Sequence, residues 1–228
     1  MEVEIWSDIA CPWCYVGKRR FESALEAFEH REDVHVRWRS FELDPSAPPE
    51  REGDSAASLA RKYGKTREEA LGMFEAMTQT AADEGLEFHF ERTRGGNTFD
   101  AHRLTHLAAE HGLQDEVKER LMRAYLTEGE LMSDATTLRR LALEAGLPEA
   151  EVYELLEGDA YADEVRADEA TAGRLGISAV PFFVIDRAFG AAGAQDPEVL
   201  LALLRRGWES RSPLTVAAGG ESCGADGC

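Results

Sequence analysis

Two kinds of hydrophobic pattern divide the chain. Apolar residues run together in VEIW (3–6) and alternate with polar residues in VHVRWRSFEL (34–43), so both segments are predicted to be β-strands. Between these strands apolar residues recur at helical spacing, which predicts a helix from Pro12 to about His30. The beginning of the chain is therefore predicted to be a strand–helix–strand unit.

The middle of the chain is almost entirely helical in pattern. A turn-rich linker, DPSAPPEREGDS (44–55), leads into helical segments that are separated by glycine, proline or Ser/Asp caps. We place these segments near residues 55–63, 66–84, 98–111, 114–127, 134–145, 149–157 and 160–175. One stretch, LEFHFER (86–92), alternates and is compatible with an extended conformation.

Strand patterns return near the C-terminal end. VPFFVID (180–186) and AFG (188–190) are predicted strands, and residues 196–208 are predicted to form a helix. Beyond Glu209 the Gly/Ala/Ser-rich composition predicts a flexible tail. We therefore predict an α/β fold in which two distant segments complete one sheet, with a long helical block inserted between them.

The charge balance excludes some classes of partner. The net charge is −19, and lysine occurs only at positions 18, 62, 65 and 118. An acidic surface repels phosphates, so we expect no nucleic-acid or membrane partner. The same composition is typical of proteins from salt-loving organisms, in which high ionic strength screens the repulsion. Because the N-terminus lacks a basic secretion signal and no apolar run is long enough to span a bilayer, a cytoplasmic location is expected.

The motif CPWC (11–14) carries the candidate chemistry. Unpaired N–H groups at a helix N-terminus stabilise a thiolate, so Cys11 is expected to be an exposed, acidic nucleophile. Cys14 would lie one turn further into the helix, shielded but close enough to form a disulfide with Cys11. Pro12 removes one N–H donor, and Trp13 offers an aromatic surface beside the sulfur.

A C-x2-C pair also occurs as half of a zinc site. The other cysteines, Cys223 and Cys228, lie at the opposite end of the chain with a C-x4-C spacing that is unusual for zinc. His102 and His106 are spaced as a metal pair on one helix, but no third ligand accompanies them. No metal is therefore predicted.

Four blocks of sequence resemble the FrnE-like branch of the DsbA family of thiol–disulfide oxidoreductases. They are DIACPWCYVGKRRFE (8–22), GNTFDAHRL (96–104), GISAVPFFVID (176–186) and GAQ (193–195). The resemblance covers essentially the whole chain and implies a thioredoxin-like fold with a large inserted all-helical domain. Residues 1–45 and 176–210 would form the thioredoxin-like domain, 46–175 the inserted domain, and 211–228 the tail; whether the last inserted helix packs on the sheet is left open.

The resemblance also implies roles for other residues. Val180 and Pro181 would form a cis-proline loop that faces the sulfurs and pairs with an extended substrate strand; from the residues alone, Pro181 could equally be a trans residue that opens an edge strand. His102 would stabilise the Cys11 thiolate or relay a proton, or else be a structural histidine with Asn97 as a helix cap. From its position three residues before Cys11, Asp8 could steer proton transfer, but it is interpreted as a solvated loop carboxylate.

The leading functional hypothesis is exchange of disulfides in protein or small-molecule substrates, with Cys11 as nucleophile and Cys14 as resolving residue. Cys223 and Cys228 would act as an auxiliary redox pair, because a disulfide in a flexible tail stabilises little. One alternative, from relatives of the fold, is a kappa-class glutathione transferase or 2-hydroxychromene-2-carboxylate isomerase. Another is a non-catalytic binding or holdase protein. No cofactor is expected, while glutathione as a co-substrate and a homodimer are left open.

Overall fold

A four-stranded sheet organises the two ends of the chain. The computed structural model describes residues 1–51 and 53–211. The strands are β1 (Glu2–Ser7), β2 (His35–Ser40), β3 (Phe182–Ile185) and β4 (Phe189–Ala192), in the order β2–β1–β3–β4. β1 pairs with β2 in parallel and with β3 antiparallel, and β3 pairs with β4 antiparallel. Strands from the two ends of the chain therefore share one sheet, and the predicted α/β class is confirmed.

Helices account for most of the remaining described chain. They are α1 (Pro12–Glu26), α2 (Ser55–Tyr63), α3 (Arg67–Asp83), α4 (Phe99–Glu110), α5 (Gln114–Arg123), α6 (Ala135–Glu144), α7 (Glu149–Glu157), α8 (Ala162–Leu175) and α9 (Pro197–Glu209). A short 3-10 turn covers Arg31–Asp33, and a π-helical turn, Ala124–Glu128, continues α5. Among these helices none is both long and apolar enough to cross a lipid bilayer.

Local sequence signals explain where several helices begin. Proline occupies the first position of α1 and α9, where its missing N–H costs nothing. The N-terminus of α3 carries a capping box, in which Thr66 and Glu69 satisfy each other's backbone N–H groups. These signals are local, which is why the predicted helix positions agree closely with the observed ones.

β1 is buried on both faces. On one face Val3 and Ile5 pack with Phe183 and with residues of α1 and α9. On the other face Trp6 packs with Ala172 of α8, and its indole N–H donates to the Asp168 carbonyl at 3.1 Å. The last helix before β3 thus packs on the sheet.

A second apolar cluster lies among α4 to α7, and a third connects it to the N-terminus of α1. This third cluster includes Cys11, Cys14, Met77, Phe88 and Leu126. The segment 86–92 belongs to it and forms no strand; its alternation arises because Leu86, Phe88 and Phe90 are buried against helices.

Candidate active site

The CPWC motif forms the N-terminus of α1. Cys11 is the N-cap residue with extended backbone angles, φ −93° and ψ 112°, and Pro12 starts the helix. The carbonyl of Cys11 accepts hydrogen bonds from the N–H groups of Cys14 at 3.1 Å and Tyr15 at 3.4 Å. The first turn carries no acidic residue. The positive end of the helix dipole therefore acts on the Cys11 sulfur without a competing carboxylate in that turn.

Both cysteines are buried thiols in this structure. Cys11 is 4% exposed and Cys14 is fully buried. The expectation of an exposed Cys11 is wrong, because the sulfur lies under the Val180 loop and joins an apolar cluster. Burial raises the pKa of Cys14 well above its ordinary value, and the neighbouring Cys11 raises it further.

The loop before β3 closes over the sulfurs. The Val180–Pro181 peptide bond is cis, and the Cys11 Sγ atom lies 3.8 Å from the Val180 carbonyl oxygen. Pro181 is buried against α1, while Val180 is half-buried. Trp13, by contrast, is exposed beside the motif. The structure thus brings Cys11, Val180 and Pro181 together.

Asp8 is buried, not solvated. It is 2% exposed, its Oδ2 accepts from the Leu43 N–H at 2.8 Å, and its Oδ1 lies 3.3 Å from the His102 Nε2. Burial alone would raise the pKa of Asp8, but the His102 hydrogen bond and the Leu43 N–H hold it below its usual value. The interpretation of Asp8 as a solvated carboxylate is wrong, because Leu43 and His102, both far from Asp8 in sequence, satisfy this carboxylate inside the protein.

His102 faces Asp8 and has no polar contact with the cysteines in the described structure. Burial lowers the pKa of His102, although the Asp8 hydrogen bond opposes this effect. A neutral ring next to an ionised carboxylate places its proton on Nε2. His102 therefore contacts Asp8, whose own carbonyl accepts the Cys11 backbone N–H at 3.4 Å.

Asn97 lies at the start of α4. Its Oδ1 accepts from the Phe99 N–H at 2.8 Å, and its Nδ2 lies 3.4 Å from Glu42. His106 lies 3.1 Å from Ser40 and so has partners different from those of His102. Asn97 thus satisfies a helix terminus, as the capping alternative predicts.

Sequence reasoning missed Lys118, the charged residue buried most completely beside the motif. It is fully buried, and its Nζ donates to the Ser7 carbonyl at 3.2 Å. Burial lowers the pKa of Lys118 to about 8, although negative charges at Cys14 and Asp8 oppose this effect. A signal was available, because position 118 lies on the apolar face of α5 with Leu121 and Met122. The auxiliary pair, Cys223 and Cys228, lies outside the described residues.

The chain matches a known domain family over most of its length. The sequence profile of the DSBA-like thioredoxin domain matches residues 2–205. A crystal structure of a probable DsbA oxidoreductase from Streptomyces coelicolor is 47% identical, with a TM-score of 0.91, and the match covers 100% of this chain and 98% of that one.

Two further proteins are similar at lower identity. The Bacillus subtilis protein YwbO is 31% identical over 136 residues, which are 59% of this chain and 60% of the length of that relative. The cytosolic disulfide reductase DsbM from Pseudomonas aeruginosa, crystallised with GSH, is 17% identical with a TM-score of 0.64, and the match covers 92% of this chain and 100% of DsbM. At that identity, DsbM shares the fold.

Proposed function

The chain belongs to the family of DSBA-like thioredoxin domains. We propose that it is a dithiol–disulfide oxidoreductase whose reacting groups are Cys11 and Cys14. One observation carries the proposal: Cys11 caps α1 with its sulfur 3.8 Å from the Val180 carbonyl, while Cys14, three residues further along α1, is fully buried. This arrangement supports a reactive outer thiol and a protected inner one.

In the reducing direction, the Cys11 thiolate attacks one sulfur of a substrate disulfide. A Cys11–substrate bond forms, the substrate disulfide breaks, and the first substrate thiolate leaves with the electron pair and takes a proton. Cys14 then attacks Cys11 as a thiolate, which forms the Cys11–Cys14 disulfide and releases the second substrate thiol. Overall, two electrons and two protons move from the dithiol to the substrate; the oxidising direction is the reverse.

The Val180–Pro181 loop is proposed to receive the substrate. Its backbone lies next to the Cys11 sulfur and leads directly into β3, so an extended peptide can pair with it by main-chain hydrogen bonds. The exposed Trp13 offers an apolar surface beside the same sulfur. Such a surface suits unfolded or extended protein disulfides, and small disulfides such as that of glutathione fit the same chemistry.

We propose a cytoplasmic site of action, as the name of DsbM states for that protein, and an auxiliary role for Cys223 and Cys228. In this role the tail pair exchanges electrons with Cys11 and Cys14 through a mixed disulfide. The proposal draws support from the sequence, where a second cysteine pair accompanies CPWC in one chain.

The proposed function is tested with insulin as a disulfide substrate and reduced glutathione as the electron source. We expect Cys11→Ser to abolish insulin reduction and Cys14→Ser to accumulate a mixed disulfide at Cys11, detected by mass spectrometry. Full activity of Cys11→Ser would support a non-catalytic protein instead. Glutathione conjugation that survives Cys14→Ser would support a glutathione transferase.

A further inference from the structure

Two lysines with buried side chains have very different partners. Lys18, on α1, is 2% exposed, and its Nζ lies 2.9 Å from Asp115 and 3.1 Å from Glu119. Lys118, on α5, is fully buried, and no carboxylate among the described residues forms an ion pair with it. A buried ammonium costs several kcal/mol unless an opposite charge compensates it. Within the described residues the Trp38 ring, 5.6 Å from the Lys118 Nζ, and more distant charges therefore act on this ammonium in place of a direct ion pair.

The ionisable groups that act on Lys118 come from the elements packed around it: Cys11, Cys14, Asp8, Asp168 and His102. Asp8 keeps its negative charge beside the neutral His102 in both redox states, and Asp168 accepts from the Arg39 guanidinium at 2.8 Å. His102 carries no negative charge. Among these groups the cysteine pair alone changes its charge with the redox state, because it bears a negative charge only when it is reduced.

One peptide group connects Lys118 to Cys14. The Lys118 Nζ donates to the carbonyl oxygen of Ser7 at 3.2 Å. The N–H of the same peptide belongs to Asp8, and its hydrogen bonding to the Cys14 sulfur opposes the burial that raises the pKa of Cys14. The C=O and N–H of a trans peptide point in opposite directions, so the ammonium and the sulfur lie at the two ends of one dipole. Hydrogen bonds in such a chain strengthen one another. A charged Lys118 therefore makes the Asp8 N–H a better donor to a thiolate.

We propose that Lys118 is a positioning residue that stabilises the Cys14 thiolate through the Ser7–Asp8 peptide group and thereby favours the reduced form of the cysteine pair. The inference rests on the proposed function, in which Cys14 has to lose its proton before it attacks Cys11. In that attack the Cys11–Cys14 bond forms, the Cys11–substrate bond breaks, and the electron pair leaves with the substrate sulfur. The proton that Cys14 gave up ends on the released substrate thiol.

The first test removes the positive charge of Lys118 and keeps the approximate length of its side chain. Lys118→Met is equilibrated with reduced and oxidised glutathione, in which protein dithiol plus glutathione disulfide gives protein disulfide plus two glutathione thiols. At a pH high enough to ionise Cys14 in the wild type, losing the cation destabilises the thiolate, so we expect the equilibrium constant for this reaction to rise about tenfold, equivalent to about 30 mV. Cys14 should also become alkylated only at higher pH, and Lys118→Arg should restore part of both effects.

The matched control is Lys18→Met, which removes the other buried lysine but leaves the cysteine surroundings intact. Its stability should fall, because its carboxylate partners lose their buried cation, while its glutathione equilibrium stays within about twofold of the wild type. A folded Lys118→Met protein with an unchanged equilibrium and an unchanged alkylation profile would overturn the inference. Circular dichroism establishes that each variant is folded.

The second test needs no substitution at Lys118. Side-chain ¹⁵N NMR of labelled lysine follows the titration of Lys118 in the dithiol and the disulfide forms of the wild-type chain. If the thiolate is the counter-charge, Lys118 titrates at higher pH in the dithiol form, by the reciprocity of linked ionisations. Identical titrations in the two forms refute the inference.

Neither test requires turnover. Normal insulin reduction with unchanged Lys118 titration would therefore reject the inference and leave the proposed function standing. If the titration of Lys118 depends on the redox state but the chain reduces no disulfide substrate, the inference about Lys118 stands and the proposed function is rejected.

Discussion

Gly17 and Pro181 touch across the active site: a Cβ atom on Gly17 would lie 2.8 Å from the Pro181 Cγ atom. Real Cβ atoms do not approach other atoms this closely, so any larger residue at position 17 pushes α1 away from the loop. The same approach holds the Cys11 sulfur near the Val180 carbonyl. The absence of a side chain at Gly17 is therefore what allows α1 and the proline loop to meet.

Gly17→Ala is expected to lower the free energy of unfolding by about 1–3 kcal/mol, the usual cost of overpacking, and to slow insulin reduction. The matched control is Gly173→Ala on α8, where a Cβ would meet nothing within 4 Å. That substitution should stabilise the protein by about 0.5–1 kcal/mol, because alanine favours helix. Equal effects of the two substitutions in urea titrations would contradict the role of the contact.

The two cysteines are expected to differ in reactivity. Burial and the nearby Cys11 raise the pKa of Cys14, so its thiolate is scarce near neutral pH. In limited alkylation of the reduced protein at pH 7, followed by peptide mapping, Cys11 should be labelled about tenfold faster than Cys14. The difference should vanish in denaturant. Preferential labelling of Cys14 in the folded protein would reverse the assignment of nucleophile and resolving residue.

His102 should make stability depend on pH. Burial lowers the pKa of His102 in the folded protein. Below the ordinary histidine pKa of about 6.5, the unfolded chain therefore binds a proton that the folded protein does not. Stability is then lost as pH falls from 7 towards 5, by about 1–2 kcal/mol. His102→Gln should reduce this loss, whereas the exposed His35→Gln should keep it. Urea titrations at both pH values check the difference, and parallel pH profiles for all three proteins would exclude His102 as the source.

Salt should stabilise the fold. With a net charge of −19, carboxylate repulsion opposes the compact state, and ions screen it over a Debye length of about 3 Å at 1 M. The urea midpoint is expected to rise between about 0.01 and about 1 M KCl, because the Debye length falls from about 30 Å to about 3 Å over this range. A flat midpoint across this range would remove the interpretation of the composition as a salt adaptation.

The tail cysteines are expected to exchange with the CPWC pair. In a chain carrying Cys14→Ser and Cys228→Ser, the remaining cysteines are Cys11 and Cys223, and peptide mapping after mild oxidation should find a disulfide between them. Truncation after Pro213 should slow electron delivery in the insulin assay. If the crosslink does not form and truncation changes nothing, the tail has no part in the reaction.

Local signals were enough to predict most elements and the reacting motif. Pro12, the Thr66–Glu69 capping box and the apolar periodicities are written in neighbouring residues, so the helices and strands were predicted near their observed positions. The burial of Asp8 was not predictable in this way, and that of Lys118 was indicated only by its position on the apolar face of α5. Each is buried because partners from distant segments satisfy it, and charged residues are otherwise expected at the surface.

During synthesis Cys11 is made long before the loop that covers it. The contact between Cys11 and Val180 spans 169 residues, and β1 lacks its β3 neighbour until that part of the chain has been made. At ribosomal rates of about 5–20 residues per second, translation of this stretch takes roughly 10–30 s. During that interval the nascent chain carries both thiols without their native cover, open to oxidants and to mispairing with other nascent chains.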